Sequence, residues 1–291
     1  MKSKKSCLAI VSALTMSATA AQAQAQAQDD SSAPYAAGRH VVQAGFFHID
    51  TLDDSQPLRT RLSPGLGALA GIQEEFESEG TSASVSTSNA LALTYSYFVT
   101  DHLAIKLEGG IPADFKLYGN GVVQPTGPLG QVINVDLGAP ENNPLAKVKQ
   151  WSPAIILQYY FRDPREAIRP YVGIGATYTW FTDIKPDADF ENALNQQFGA
   201  ALALANLNLG PTSVKASAAD DFAPIFNAGV NVDLSKRWSL SGSLSYTLLK
   251  TTANITIDAQ NGERLATSRT KLDLNPLVMA LLVGYRFDLP F

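Results

Sequence analysis

Few residues in this chain have the type and spacing that chemistry needs. His40, His48 and His102 are the only histidines. None sits in a His-x-x-x-His or carboxylate–histidine spacing, and no G-x-S-x-G is present. General acid–base work needs such a group held by a second one. The acidic pairs at 53–54, 74–75 and 220–221 fall in predicted loops, where solvated charge is the plain reading, and no ligand spacing marks them as a cation site. The single cysteine, Cys7, lies in the first segment. Beyond it there is no thiol for a nucleophile, a disulfide or a thiolate metal site. No catalytic residue, metal or cofactor is therefore expected. What remains is a set of charges embedded in apolar sequence: Lys106 and Glu108 in LAIKLEGG, Asp233 in NVDL and Arg286 in VGYRF. Charges in such surroundings are costly unless they are paired, so the elements that carry them decide what they do.

Those elements show strict alternation, the signature of strands. In WSLSGSLSYTLLK, Leu240, Leu244, Tyr246 and Leu248 share one parity, and a row of serines and Thr247 shares the other. In LAIKLEGG, Leu103, Ile105 and Leu107 oppose Lys106 and Glu108. Eight such segments are predicted, at 40–49, 89–99, 103–115, 150–161, 169–181, 222–234, 238–250 and 275–287. The connections at 100–102, 162–168 and 235–237 are short. Those at about 50–87, 116–148, 182–221 and 251–270 are long and rich in Gly, Pro, Asn and Ser. Short turns on one side and long loops on the other fit an all-β, eight-stranded antiparallel transmembrane β-barrel with short periplasmic turns and long extracellular loops. A sheet that spans a bilayer must close, because lipid offers no partner to unpaired backbone groups. No apolar run is long enough for a membrane helix. Within the third long loop, 188–210 reads as helical, with Asp187 or Asp189 as its cap.

The ends fit this reading. Lys2, Lys4 and Lys5, an apolar stretch and AQAQAQAQ predict a signal peptide over 1–23, then a flexible segment over 24–38, with the barrel over 39–291. The last strand is aromatic or apolar at every second position, Val283, Tyr285, Phe287, Leu289 and Phe291, as a lipid-facing strand should be. A formal net charge of −5 argues against a nucleic-acid partner.

Parity also predicts the lumen. With Ile155, Leu157 and Tyr159 facing lipid, Ile156 and Tyr160 face inward. With Leu281, Val283 and Tyr285 facing lipid, Val278 and Leu282 do. Ile156, Tyr160, Val278 and Leu282 are the expected channel lining. Lys106, Glu108, Asp233 and Arg286 lie near periplasmic strand ends and are expected to form an ion-paired plug. Crossing such a plug would cost an apolar solute several kcal/mol of charge dehydration. A sideways exit between strands is the cheaper path, and Pro153, Pro224 and Pro276, which donate no ladder hydrogen bond, are candidates for opening it.

ALTYSYFVTDHLAIKLEGGIPADFKL, QWSPAIILQYYF, IRPYVGIGATYTWF and DLNPLVMALLVGYRF resemble the strand motifs of the OmpW family of small outer-membrane proteins. The resemblance covers most of 39–287, with the added DLPF and a long loop at 182–221 as departures. It implies residence in the bacterial outer membrane, among lipid and lipopolysaccharide, and assembly by the outer-membrane machinery through the C-terminal strand. It also implies a narrow apolar channel for passive uptake of small hydrophobic or amphipathic molecules. The other readings are a surface adhesion or structural barrel and, third, a lipid-modifying enzyme.

Overall fold

Eight antiparallel strands close on themselves in the computed structural model, which describes residues 37–52, 54–127, 130, 133–207 and 210–287. The predicted leader, all but the end of the segment at 24–38, and the final DLPF lie outside the described residues. The strands are β1 (His40–Asp50), β2 (Ser88–Phe98), β3 (Leu103–Gly110), β4 (Ala154–Tyr160), β5 (Ile168–Pro186), β6 (Asp221–Asp233), β7 (Trp238–Thr247) and β8 (Leu277–Phe287). Each pairs with its sequence neighbour, and β8 pairs with β1 from His40↔Phe287 to Asp50↔Leu277. Closure leaves the barrel wall without a free edge, which a membrane-spanning sheet requires.

The outward parity is apolar on every strand. Phe46, Leu93, Leu107, Ile155, Ile174, Phe226, Leu244 and Leu281 are all exposed. Exposed greasy side chains on this scale mark a lipid-facing belt. Aromatic residues cluster at both ends of the belt. Trp151 stacks on Trp180 with ring centroids 5.9 Å apart on the loop side, and Trp238 meets Tyr285 edge-on at 5.1 Å on the turn side. Such rings suit the polar–apolar boundary of a bilayer.

The long connections are not irregular. They build a second, extracellular layer. One sheet runs Ser213–Ala218, Lys250–Asp258, Arg264–Asp273, Leu58–Leu62 and Glu75–Ser78. A second set, Ala146–Trp151, Ala113–Asn120 and Ser82–Val85, continues outward from the long strand β5. The segment expected as one strand over 103–115 is therefore two, broken at Ile111–Pro112. Likewise 150–161 divides at Ser152–Pro153. The helical segment begins at Ala188 with Asp187 as its cap, accepting from the Asp189 amide, and runs through a π turn at Leu194–Gly199 to Ala205. Phe190, Leu194, Phe198 and Leu202 are fully buried beneath the extracellular sheet, against Leu62, Phe76, Val214 and Leu265. An α-helix would carry every fourth residue about 40° round its axis. The wider π turn counter-rotates, which keeps these four on one face.

Candidate functional site

The lumen has a charged, aromatic floor at the turn side and a cavity in its wall above. The buried charges all follow inward parity. Lys106 is 1% exposed, and its Nζ lies 2.6 Å from Glu108 Oε1, two residues along the same face of β3. Arg286 Nη1 lies 2.9 Å from Asp233 Oδ2. The same guanidinium donates to the carbonyls of Ser235 and Trp238, which ties β8 to the β6–β7 turn. Asn231 donates to the other Asp233 oxygen at 3.3 Å. The four charges thus stand as two pairs at different levels: Asp233 and Arg286 lie at the turn end as expected, whereas Lys106 and Glu108, expected there too, lie opposite Ile156 and Ala154 at the loop-side end of the β3–β4 ladder, because β3 starts at Leu103 and spans only to Gly110.

A third buried cation was not singled out from sequence. Arg169, in β5, is fully buried and donates to the carbonyl of Asp101 at 2.6 Å. Its guanidinium lies 5.1 Å from the ring centre of Tyr160 and 6.0 Å from that of Phe98. Tyr160 in turn packs on Tyr171 at 4.8 Å. Val41, Phe98, Ala104, Tyr160 and Tyr171 form one cluster that fills the turn end. Gly229 makes room for it, since a Cβ there would stand 2.5 Å from the Tyr171 hydroxyl. A signal for Arg169 existed. It shares parity with Tyr171, Gly173 and Thr177 of β5, the row aimed at the lumen.

Above the floor the lumen carries polar side chains bonded to one another. Thr94 donates to Gln43, Gln158 donates to Asn227 at 2.8 Å, and Asn227 donates to Ser245 at 2.9 Å. Ile156 is fully buried with Ala154 and Ile225 at this level. Leu282 packs with Ala92, Ala280 and Phe47. Of the four residues expected to line a channel, Ile156 and Leu282 sit in these clusters, Tyr160 in the floor, and Val278 borders the open space described next.

That space is a cavity of about 370 Å³. Its lining combines lumen-facing Phe47, Ile225 and Val278 with lipid-facing Leu91, Ile111 and Trp151. It therefore lies at the barrel wall. The reason is visible in the register. Pairing of β3 with β4 ends at Glu108↔Ala154, and the next pair between the same two chain segments is Ala113↔Gln150. Gly109–Pro112 face Trp151–Pro153 across an interrupted ladder. Pro112 and Pro153 have no N–H to give, which suits a break in pairing. Gly110 supports the turn, with φ +152°, and a Cβ there would fall 2.1 Å from the Leu91 carbonyl oxygen.

The other prolines fall elsewhere. Pro224 lies opposite Ala176 inside an intact ladder, and its carbonyl accepts from Leu248. Pro170 lies opposite Val230 near the turn side. Pro276 borders the cavity but precedes β8 and accepts from Thr247. Pro112 was missed from sequence because its partner across the gap is some forty residues away.

A second cavity, of about 100 Å³, lies in the extracellular layer among Leu58, Phe115, Leu117, Phe181, Phe190 and Leu272. Gln150 lines both cavities. Its side chain donates to Ser152, which is hydrogen-bonded to Thr179.

A closed antiparallel barrel with a lipid-facing apolar belt, a filled turn end and an elaborated loop end defines a bacterial outer-membrane barrel. The OmpW family model matches residues 64–287, and the chain belongs to that family. Outer membrane protein W of Vibrio cholerae is 27% identical over 260 residues, which cover 88% of this chain and 94% of that protein. Outer membrane protein AlkL of Ectopseudomonas oleovorans is 28% identical over 207 residues, 70% of each chain. The crystal structure of OprG from Pseudomonas aeruginosa superposes with a TM-score of 0.64 at 21% identity, covering 88% of this chain and 98% of that one.

Proposed function

We propose that this barrel is a passive outer-membrane channel for small hydrophobic or amphipathic molecules, which come in through the extracellular layer and leave sideways through the gap between β3 and β4 into the bilayer. The observation that carries this is the wall cavity, bordered by lumen-facing and lipid-facing residues alike, above a turn end filled by the Arg286–Asp233 pair and rings. The energetics favour the sideways path. Burying apolar surface contributes about 0.8 kcal/mol per CH₂, so a short chain is well held along Phe47, Ile225 and Val278. Straight passage would displace the Lys106–Glu108 and Arg286–Asp233 pairs at a cost of several kcal/mol each. Sideways passage runs past Glu108 without having to displace it from Lys106, and ends in lipid.

The test fills the cavity. Ala154 lines it from the lumen side at the last β3–β4 pair. Ala154→Phe should slow protein-dependent influx of the fluorophore N-phenyl-1-naphthylamine into liposomes several-fold, with the barrel still folded by its heat-shifted gel mobility. Wild-type influx in a folded Ala154→Phe variant would sink the lateral route.

A further inference from the structure

The cavity between β3 and β4 is mostly apolar, with hydroxyls, an amide and a single charged group on its lining. Among the described residues that line it, Glu108 alone bears a charge. Lys106 holds Glu108 Oε1 at 2.6 Å, is itself 1% exposed and does not line the cavity. No other donor reaches this carboxylate among the described residues. Several of the hydroxyls nearby have partners of their own. Ser152 and Thr179 bond to each other, Thr177 donates to the Pro153 carbonyl, and Ser245 accepts from Asn227. A solute in the gap therefore meets one charged acceptor and no cation among the described lining residues, with greasy walls on the lipid side at Leu91, Ile111 and Trp151.

We infer that the gap selects amphipathic solutes by head group: it favours heads that donate a hydrogen bond, a hydroxyl or an ammonium, over carboxylates. The donor head sits on the second Glu108 oxygen while the tail lies along Leu91, Ile111 and Trp151 toward the bilayer. A carboxylate head would face a like charge in a low-dielectric site, with Lys106 screened behind Glu108. A hydrogen bond to a charged acceptor discriminates by about tenfold or more. This inference rests on the lateral channel reading and specifies which molecules that channel prefers.

The experiment compares 1-octanol, octylamine and octanoate as competitors of N-phenyl-1-naphthylamine influx into liposomes carrying the full chain, with protein-free liposomes subtracted. Octanol and octylamine are expected to compete at concentrations about tenfold below octanoate. In Glu108→Gln the advantage of octylamine should shrink to about twofold or less. That variant leaves Lys106 buried without its partner, so the double variant Lys106→Met, Glu108→Gln is measured beside it and should show the same loss. Octanoate matching octylamine on the wild-type protein, or head-group preference surviving in the double variant, would overturn the inference. Failure of the fluorophore itself to enter faster than through bare lipid would instead remove the channel reading, and the inference with it. Influx that all three heads compete for equally removes only the selection.

Discussion

The two ends of the lumen are made from the same alternation and behave in opposite ways. At the turn end the buried charges are answered and packed over by rings: Arg286 by Asp233, and Arg169 by backbone carbonyls and two aromatic rings, while the Lys106–Glu108 pair stands higher, opposite Ile156 and Ala154. Toward the loop end the inward side chains shorten to Ala154, Thr177 and Ala90, and the β3–β4 ladder opens. An eight-stranded barrel is only just wide enough for its own side chains. Free space in it must come either from small residues or from a gap in pairing. This barrel uses both at one place and neither at the other, so the difference separates a seal from a port.

The contrast can be broken hardest at the seal. Arg286→Leu removes the guanidinium that Asp233 holds at 2.9 Å, and removing one member of a buried pair costs about 3–5 kcal/mol. Urea unfolding of the barrel in lipid vesicles should shift by that order. Loss of the contacts to Ser235 and Trp238 should also free the β6–β7 turn, read as faster hydrogen exchange there. A companion variant, Lys106→Ala with Glu108→Ala, removes a whole pair and leaves no orphan charge. It is expected to cost less stability and to raise single-channel ion conductance in planar bilayers. Unchanged conductance would count against the floor as a barrier.

A smaller effect is expected at the port. Gly110→Ala places a methyl group where the Leu91 carbonyl already stands, at a φ that side chains seldom adopt. Strain of this kind costs roughly 1–3 kcal/mol, and the chain must move away from β2 at the edge of the gap. Fluorophore influx should change while conductance through the floor does not. Gly109 is the internal control, since a Cβ there meets nothing within 4 Å, and Gly109→Ala should leave influx near wild type.

How legible this was in the sequence depends on the range of the interaction. Facing is a local property with a period of two residues, so parity alone aims Lys106, Glu108, Ile156, Gln158 and Asn227 inward and Leu107, Ile155 and Leu157 outward. Arg169 was readable by the same rule, one step before Tyr171. The gap was not, because it exists only where the segment before Ala113 comes opposite the segment after Gln150, with Pro112 and Pro153 at its two sides, and register between segments forty residues apart is set by pairing rather than by either segment. The extracellular layer was hidden for another reason. LRTRL and RLATSRTKLD do alternate, but their outward residues are charged and Gly- and Pro-rich stretches surround them, so they read as loops. Their apolar residues Leu58, Leu62 and Leu272, with Leu265 out of phase beside a register shift in the pairing, are buried in the extracellular layer, away from lipid.

The smallest effect concerns that layer, and it distinguishes a water-facing ion pair from those of the lumen floor. Asp258 sits at the end of the Lys250–Asp258 strand with Lys215 at 3.1 Å and a contact from Arg264. Burial alone would raise its carboxyl, but hydrogen bonds from Arg264 and Lys215 outweigh burial and hold it below the usual carboxylate range. With the folded carboxyl more acidic than the unfolded one, the unfolded chain binds the extra proton near pH 4, and stability rises with pH there. The contribution is complete at neutral pH and is lost as the solution is acidified through and below the ordinary aspartate range. Both cations are well exposed, so solvent screens much of it. Hydrogen-exchange protection of residues 250–273, corrected for intrinsic rates, should therefore hold from pH 7 to 5 and decline below 4. In Asp258→Asn the decline should flatten, with somewhat lower protection at neutral pH. The barrel strands, whose charges are shut away from water at the floor, should keep their protection across the same range. A parallel loss in β1–β8 would mean that the two layers unfold together and that the extracellular pair is not acting alone.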